Sequence, residues 1–214
     1  MKIIDCEQGS PEWITARLGK VSASRIADMT ATTKSGYSIS RANYAAELIV
    51  ERLTGASGAS GYTNAAMEWG TMQEPAARAM YEFISDMTVT RVGLVLHPAI
   101  EMSCASPDGL AGEDGLIEIK CPNTATQIET LLSEKIPEKY VKQMQWQMAC
   151  TGRQWCDFGS FDPRLPEDMR LFVRRVDRDD ALISDLEAKV SAFLAETDAK
   201  VEALTRLYST AKAA

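Results

Sequence analysis

Ser106-Pro107-Asp108-Gly109-Leu110-Ala111-Gly112-Glu113-Asp114-Gly115-Leu116-Ile117-Glu118-Ile119-Lys120 is the stretch from which the rest of the chain can be read. Residues 102–106 and 116–119 have strand character, and the turn-rich PDGLAGEDG separates them. Side chains alternate along a strand, so Glu118 and Lys120 project to one face while Ile119 turns its apolar side chain to the other. A hairpin strand ending at Pro107-Asp108 delivers Asp108 to the face of Glu118. Two carboxylates and a lysine then converge at one end of a sheet. Hard divalent cations take oxygen ligands, commonly one or two carboxylates completed by water and phosphate oxygens. Phosphodiester cleavage needs a metal-activated water and positive charge where negative charge develops. The plainer reading is a turn at Asp108-Gly109 and a solvated Glu118/Lys120 face. It suffices for an isolated Glu-x-Lys, whereas Pro-Asp at this spacing among apolar residues favours a metal site.

Outward from this centre, the period of the apolar residues marks the other elements. Tyr44, Leu48, Ile49 and Leu53 recur at helical spacing, and so do Trp69, Met72, Ala76, Met80 and Phe83. The small, polar residues 55–63 (GASGASGYT) separate the two helices. Val89 to Leu96 is β-rich and ends at His97-Pro98. Residues 139–150 return to helix, 155–161 and 170–176 read as strands, and residues 178–208 form a long closing helix with Leu182, Leu186, Val190, Phe193 and Leu194 in its stripe. The order implies an α/β fold, with one domain spanning residues 1–214. His97 is expected to be structural, and Cys121 to fill space beside the central strand.

Length and composition agree. The chain has 214 residues, of which 45% are hydrophobic and 25% charged, the profile of a globular protein with its own core. No apolar run is long enough for a membrane span, and Asp5, Glu7 and Glu12 interrupt the place of a signal peptide, so cytoplasmic location is expected. Five scattered cysteines without a Cys-x-x-Cys pair argue against a disulfide framework or structural zinc. A net charge of −7, from 23 basic and 30 acidic residues, argues against coating nucleic acid by a general positive field. It leaves room for an enzyme whose cations are confined to a groove.

Pro107-Asp108 with Glu118-Ile119-Lys120 resembles the PD-(D/E)xK nuclease signature. The flanking blocks Glu12-Trp13, Arg17-Leu18-Gly19, Ser22-Ala23-Ser24, Trp69-Gly70, Glu74, Cys121-Pro122 and Gln143-Met144-Gln145 occur in one order. Together they resemble the bacteriophage lambda exonuclease family, also called the YqaJ-like viral recombinase family, from about Gln8 to about Pro163. The resemblance implies a restriction-endonuclease-like fold with a central mixed β-sheet flanked by helices. It implies Mg²⁺-dependent 5′-to-3′ digestion of linear double-stranded DNA, with Mn²⁺ able to substitute, a homotrimeric ring around the duplex, and a single-strand annealing protein as partner. A ring needs a basic channel only, which suits a chain of acidic net charge.

The resemblance also distributes roles. Asp108, Glu118, the Ile119 backbone carbonyl and Glu74 are implied metal ligands, with Lys120 and Gln143 beside them. Arg17, Ser24 and Ser106 are implied to hold the 5′-phosphate, and Met67 to wedge between the strands. Each residue has a plainer reading. Glu74 lies about 140° from the Trp69–Phe83 stripe at ~100° per residue, and an exposed pair with Arg78 would account for it. Arg17 could be a helix-end cation, Ser24 an N-cap, Gln143 an ordinary helix residue and Met67 a packing residue. Lys120 beside three carboxylates should stay an ammonium, which suits orienting water and stabilising charge better than acting as a base. One departure stands out: Thr126 occupies the place of a second basic residue, so phosphate capture is expected either to be weaker or to borrow a cation from elsewhere, such as Arg153. The alternatives are a non-catalytic module of the same fold that binds DNA ends or a partner, and an endonuclease.

Overall fold

The computed structural model describes residues 1–34, 36–57 and 65–209; most of the loose tract at 55–63 lies outside them. The chain opens with β1 (Lys2–Ile4), α1 (Pro11–Arg17), β2 (Val21–Ser22), α2 (Ile26–Thr30), the hairpin β3 (Thr32–Thr33) and β4 (Gly36–Tyr37), and α3 (Ile39–Thr54). Next come α4 (Ala65–Ser85), β5 (Val89–Thr90), β6 (Leu94–Leu96), β7 (Ser103–Ala105), β8 (Gly109–Ala111) and β9 (Gly115–Lys120). The last elements are α5 (Thr124–Ser133), α6 (Glu138–Thr151), β10 (Trp155–Phe161), β11 (Leu171–Asp177) and α7 (Asp180–Ser209). Among the described residues no helix is long and apolar enough to cross a membrane.

A five-stranded mixed sheet runs β11-β10-β9-β8-β5, parallel only between β9 and β10. A smaller sheet runs β1-β6-β7-β2, and β3 pairs with β4. The alternation along β9 sorts its side chains as the sequence predicts. Ile117 and Ile119 pack with Ala77 and Tyr81 of α4. On the opposite face, Leu116 packs with Met144 and Met148 of α6 and Phe158 of β10. Burying these two layers supplies most of the drive to form the sheet.

Three readings need correction. The strand before Asp108 is not the hairpin partner of β9: β7 pairs with β6 and β2 in the smaller sheet, and the partner is β8, inside the supposed turn. Asp108 therefore sits where the chain crosses between sheets. Gly109 permits the crossing, because a Cβ there would lie 2.1 Å from Val89 Cγ1. The β-rich run also splits, β5 joining one sheet and β6 the other. The buried face of α4 is Ala77 and Tyr81, while Met72 and Phe83 of the expected stripe are 69% and 87% exposed. Tyr81 is drawn inward because its hydroxyl donates to Asp157 (2.8 Å), which Arg175 also holds through two bonds of 2.8 and 2.9 Å.

The closing helix begins and ends within two residues of its expected bounds. Its stripe buries Ile183, Leu186, Val190, Phe193 and Leu194. Leu207 is 65% exposed, so the apolar pattern outlasts the core. His97 is buried and stacks on Trp146 at 4.9 Å, and its Nδ1 accepts the backbone N–H groups of Ala99 (3.2 Å) and Ile100 (3.0 Å).

Candidate active site

The crossing at Ser106-Pro107-Asp108 is held from outside by Gln8, whose Nε2 donates to the carbonyls of Pro107 and Val92, each at 2.9 Å. Asp108 Oδ2 in turn accepts the backbone N–H of Ile119 at 2.6 Å. That bond locks Asp108 to the end of β9, beyond the first residue of β8. The N–H and C=O of one strand residue point to the same edge. The Ile119 carbonyl therefore faces the side of Asp108, where β8 has not yet begun.

Glu118 is fully buried in the same region. Its Oε1 accepts from Gln143 Nε2 (2.6 Å) and from the Lys120 ammonium, and its Oε2 from Gln147 Nε2 (2.5 Å). Gln143 and Gln147 are one helical turn apart on α6 and reach the two oxygens of one carboxylate. Sequence reasoning assigned no role to Gln147; the signal was the Gln143-x-x-x-Gln147 spacing, which puts both amides on one face.

The electrostatics follow from burial and crowding. Burial, then the like charge of Glu118 and, more weakly, of Glu74, raise Asp108 well above the usual carboxylate range, against Lys120 and the Ile119 N–H. Burial disfavours the Lys120 ammonium, but Glu118 and Asp108 outweigh it and its pKa is raised, as its neighbours predicted. Glu74 joins the group from α4. It makes the expected ion pair with Arg78, and it also lies on the Ala77–Tyr81 face, which runs on to the rim of the cleft.

A cleft of about 670 Å³ collects Glu74, Asp108, Ile119, Lys120 and Gln143, with Met67, Lys139 and Tyr140 among its walls. Met67 is 53% exposed on the first turn of α4. A second cavity of about 190 Å³ shares Asp108, Lys120 and Gln143 with the cleft, reaches Glu118, and opens towards α1, where Arg17, Ser22, Ser24 and Ser106 line it. Arg17 lies 4.2 Å over the Trp13 ring, and Trp13 Nε1 donates to Ser106 Oγ at 2.8 Å. Arg17 Nη2 donates to Ser22 Oγ at 3.1 Å, and among the described residues no carboxylate pairs with it. Its planar fork is thus oriented and uncompensated beside two more hydroxyls. Ser24 is exposed and caps no helix: the turn Ala23–Arg25 follows Ser22, and α2 follows Arg25.

Two expectations about cations resolve differently. Arg153 cannot stand in for the missing base, because it donates to the carbonyls of Ala111 (3.3 Å), Gly112 (2.8 Å) and Gly115 (2.7 Å) at the far end of the β8–β9 hairpin. Thr126, on the first turn of α5, lines neither cavity; Lys139 is the additional cation on the cleft. Among the described residues, no three of His, Cys, Asp and Glu stand together as a complete ligand set. The donors are Asp108, Glu118 and one carbonyl, with Glu74 farther out. That set fits a hard divalent cation that keeps water and substrate phosphate in its shell, and does not fit a closed protein cage. The like charges of Glu118 and Glu74, which add to burial in raising Asp108, support the same fit.

Comparison with known proteins agrees with this fold. Residues 12–154 match the YqaJ-like viral recombinase domain. The alkaline exonuclease LHK-Exo of Laribacter hongkongensis has a crystal structure that superposes with a TM-score of 0.87 at 56% identity, over 96% of this chain and 100% of that one. A structure of LHK-Exo in complex with dAMP matches equally well. A phage-related exonuclease from Haemophilus somnus 129PT shares the fold at 16% identity, with a TM-score of 0.67 over 86% of this chain and 96% of that one. Among proteins with curated functional descriptions, none matches.

Proposed function

Because this chain belongs to the YqaJ-like viral recombinase family, we propose that it is a divalent-metal-dependent exonuclease. It digests one strand of linear double-stranded DNA from 5′ to 3′ and leaves a 3′ single-stranded overhang for phage-type recombination by strand annealing. The observation that carries this reading is the continuity of the two cavities: Asp108, Lys120 and Gln143 border both the broad cleft and the small Arg17 cavity, and Glu118 borders the latter. A terminal phosphate held by Arg17 would leave the next phosphodiester beside the carboxylates.

Asp108, Glu118, the Ile119 carbonyl and Glu74 would hold the cation, Mg²⁺ by the hardness of the donors and Mn²⁺ as a substitute. Bound there, it would lower the pKa of a water and neutralise charge on the phosphate. The protein's own part is to hold these groups still. Gln143 and Gln147 fix both oxygens of Glu118, and Gln8 fixes the Pro107-Asp108 crossing. Lys120, kept protonated by Glu118 and Asp108, supplies hydrogen bonds and positive charge to the attacking water and the phosphoryl oxygens. Arg17 grips the 5′-phosphate through charge-assisted bonds, with Ser24 and Ser106 completing the shell. Met67, at the mouth of the cleft, wedges between the strands.

Residues 1–214 act as one nuclease domain, and three copies form a ring whose channel takes the duplex. The protein works in the cytoplasm of a bacterial host, with a single-strand annealing protein receiving the overhang. The test is incubation of 5′-phosphorylated linear duplex, labelled on each strand in turn, beside covalently closed circles, with Mg²⁺ present. Stepwise loss of the 5′-ended strand with circles intact is expected. Nicked circles would mean an endonuclease, and binding of linear ends without digestion a non-catalytic module.

A further inference from the structure

Beside the cleft, and reaching α6 at Lys142, lies a separate cavity of about 480 Å³ between α2, the β3–β4 hairpin and α7. Its position is tied to the active site by two short stretches of chain. Gln143 lines the cleft and Lys142 this cavity; Asp28 lines the cleft and Met29 this cavity. Its inner wall is apolar, built from Met29 and Leu186, both 1% exposed, with Leu182 and Tyr37 beside them. Its polar lining is cationic: Arg41, Lys142 and Lys189, against the single acid Asp185.

Arg41 makes the site more than a surface patch. Its side chain is 9% exposed and sandwiched between Tyr37 (3.8 Å) and Phe193 (4.9 Å). Nη2 donates to both oxygens of Glu196 (3.0 and 2.9 Å), while Nε is buried with no acceptor. The two lysines are held only by exposed carboxylates one turn away on their own helices, Glu138 at 2.9 Å and Asp185 at 2.6 Å. Such pairs contribute little and exchange readily for a better-placed acid.

We propose that this cavity is a docking site for an acidic peptide segment of a partner protein, with an apolar side chain seated between Leu182, Leu186 and Tyr37 and flanking carboxylates on Lys142 and Lys189. An apolar wall ringed by cations is complementary to that chemistry. A DNA backbone would use the cations and leave the apolar wall without a partner. A peptide bound here would sit beside the cleft, about 100° around α6 from Gln143, so its owner would be held next to the site. The proposal does not rest on the nuclease reading.

The test is fluorescence anisotropy with a labelled hexapeptide that alternates aspartate and leucine, beside its asparagine–leucine counterpart and a short DNA duplex as competitor. The acidic peptide should bind the wild-type chain, and Lys142→Gln combined with Lys189→Gln should weaken it about tenfold or more. Both substitutions lie outside the nuclease site, so digestion of linear duplex by the double variant should match wild type. Equal binding of the asparagine peptide, an unchanged affinity in the double variant, or no binding of the acidic peptide would overturn the proposal. Displacement by duplex DNA would assign the site to nucleic acid instead. Peptide binding by a protein without nuclease activity would sink the nuclease reading and leave this one standing.

Discussion

Replacing Gln147 with leucine keeps the volume of a fully buried side chain and removes one donor from Glu118 Oε2. Glu118 is itself fully buried, so water cannot take the vacated place. A hydrogen bond to a charged group of this kind contributes about 1.5–3 kcal/mol, and the penalty for leaving a buried charged acceptor unpaired is of similar size. For a chain of this length about 2 kcal/mol lowers the melting temperature by roughly 4–8 °C. The functional effect should be separable from the loss of stability. Partners that orient a metal ligand commonly contribute about 10–100-fold in metal affinity or activity. Nuclease rate measured against Mg²⁺ concentration should show a half-saturation point raised by about that factor, with much of the rate recovered at saturating Mg²⁺. A melting temperature and a Mg²⁺ dependence both equal to wild type would refute the view that α6 positions Glu118.

Three further outcomes follow from individual groups. Arg17→Ala should abolish a wild-type preference for 5′-phosphorylated over 5′-hydroxyl ends while sparing the hydroxyl substrate, because the charge-assisted fork acts only when the phosphate is present; equal wild-type rates on both ends would refute the pocket. Asp108→Asn should raise the melting temperature of the metal-free protein at neutral pH. The folded-state pKa of Asp108 is raised by burial and by Glu118, so the metal-free chain loses stability as pH climbs from about 4 towards that value, and the amide should flatten the loss; a lower melting temperature for the variant would contradict the crowding. Tyr81→Phe should cost about 1–3 kcal/mol in a denaturant titration, since Asp157 keeps Arg175 but loses a buried donor; no change would show that this bond does not anchor α4.

The sequence made the site more legible than the framework that carries it. Glu118, Ile119 and Lys120 could be placed because strand alternation is set by backbone geometry and needs no knowledge of neighbours. The strand β8 could not, since Gly109-Leu110-Ala111 is too short to show a period and its residues are those of a turn. The face of α4 was misread because periodicity weighs large apolar side chains, and here the helix turns Met72 and Phe83 outward to bring Tyr81 to Asp157. The consequence reached the site: Glu74 belongs to the face that meets the sheet. The split of Val89 to Leu96 between two sheets turns on Gly93, where a Cβ would lie 2.4 Å from the Cys6 carbonyl oxygen, a contact between segments far apart in sequence. Gln147 and Ser22 were passed over for a related reason. Their importance lies in what they touch, Glu118 and Arg17: the spacing puts Gln147 on the face of Gln143 but does not say that this face meets Glu118.

The central claim is that Asp108 and Glu118 form one metal-dependent cutting site. The most direct measurement is turnover of 5′-phosphorylated linear duplex by Asp108→Ala and Glu118→Ala at saturating Mg²⁺, with circular dichroism and solution mass recorded on the same samples. Each variant should keep its fold and oligomeric state and lose cleavage. Near wild-type turnover in either one would contradict the assignment.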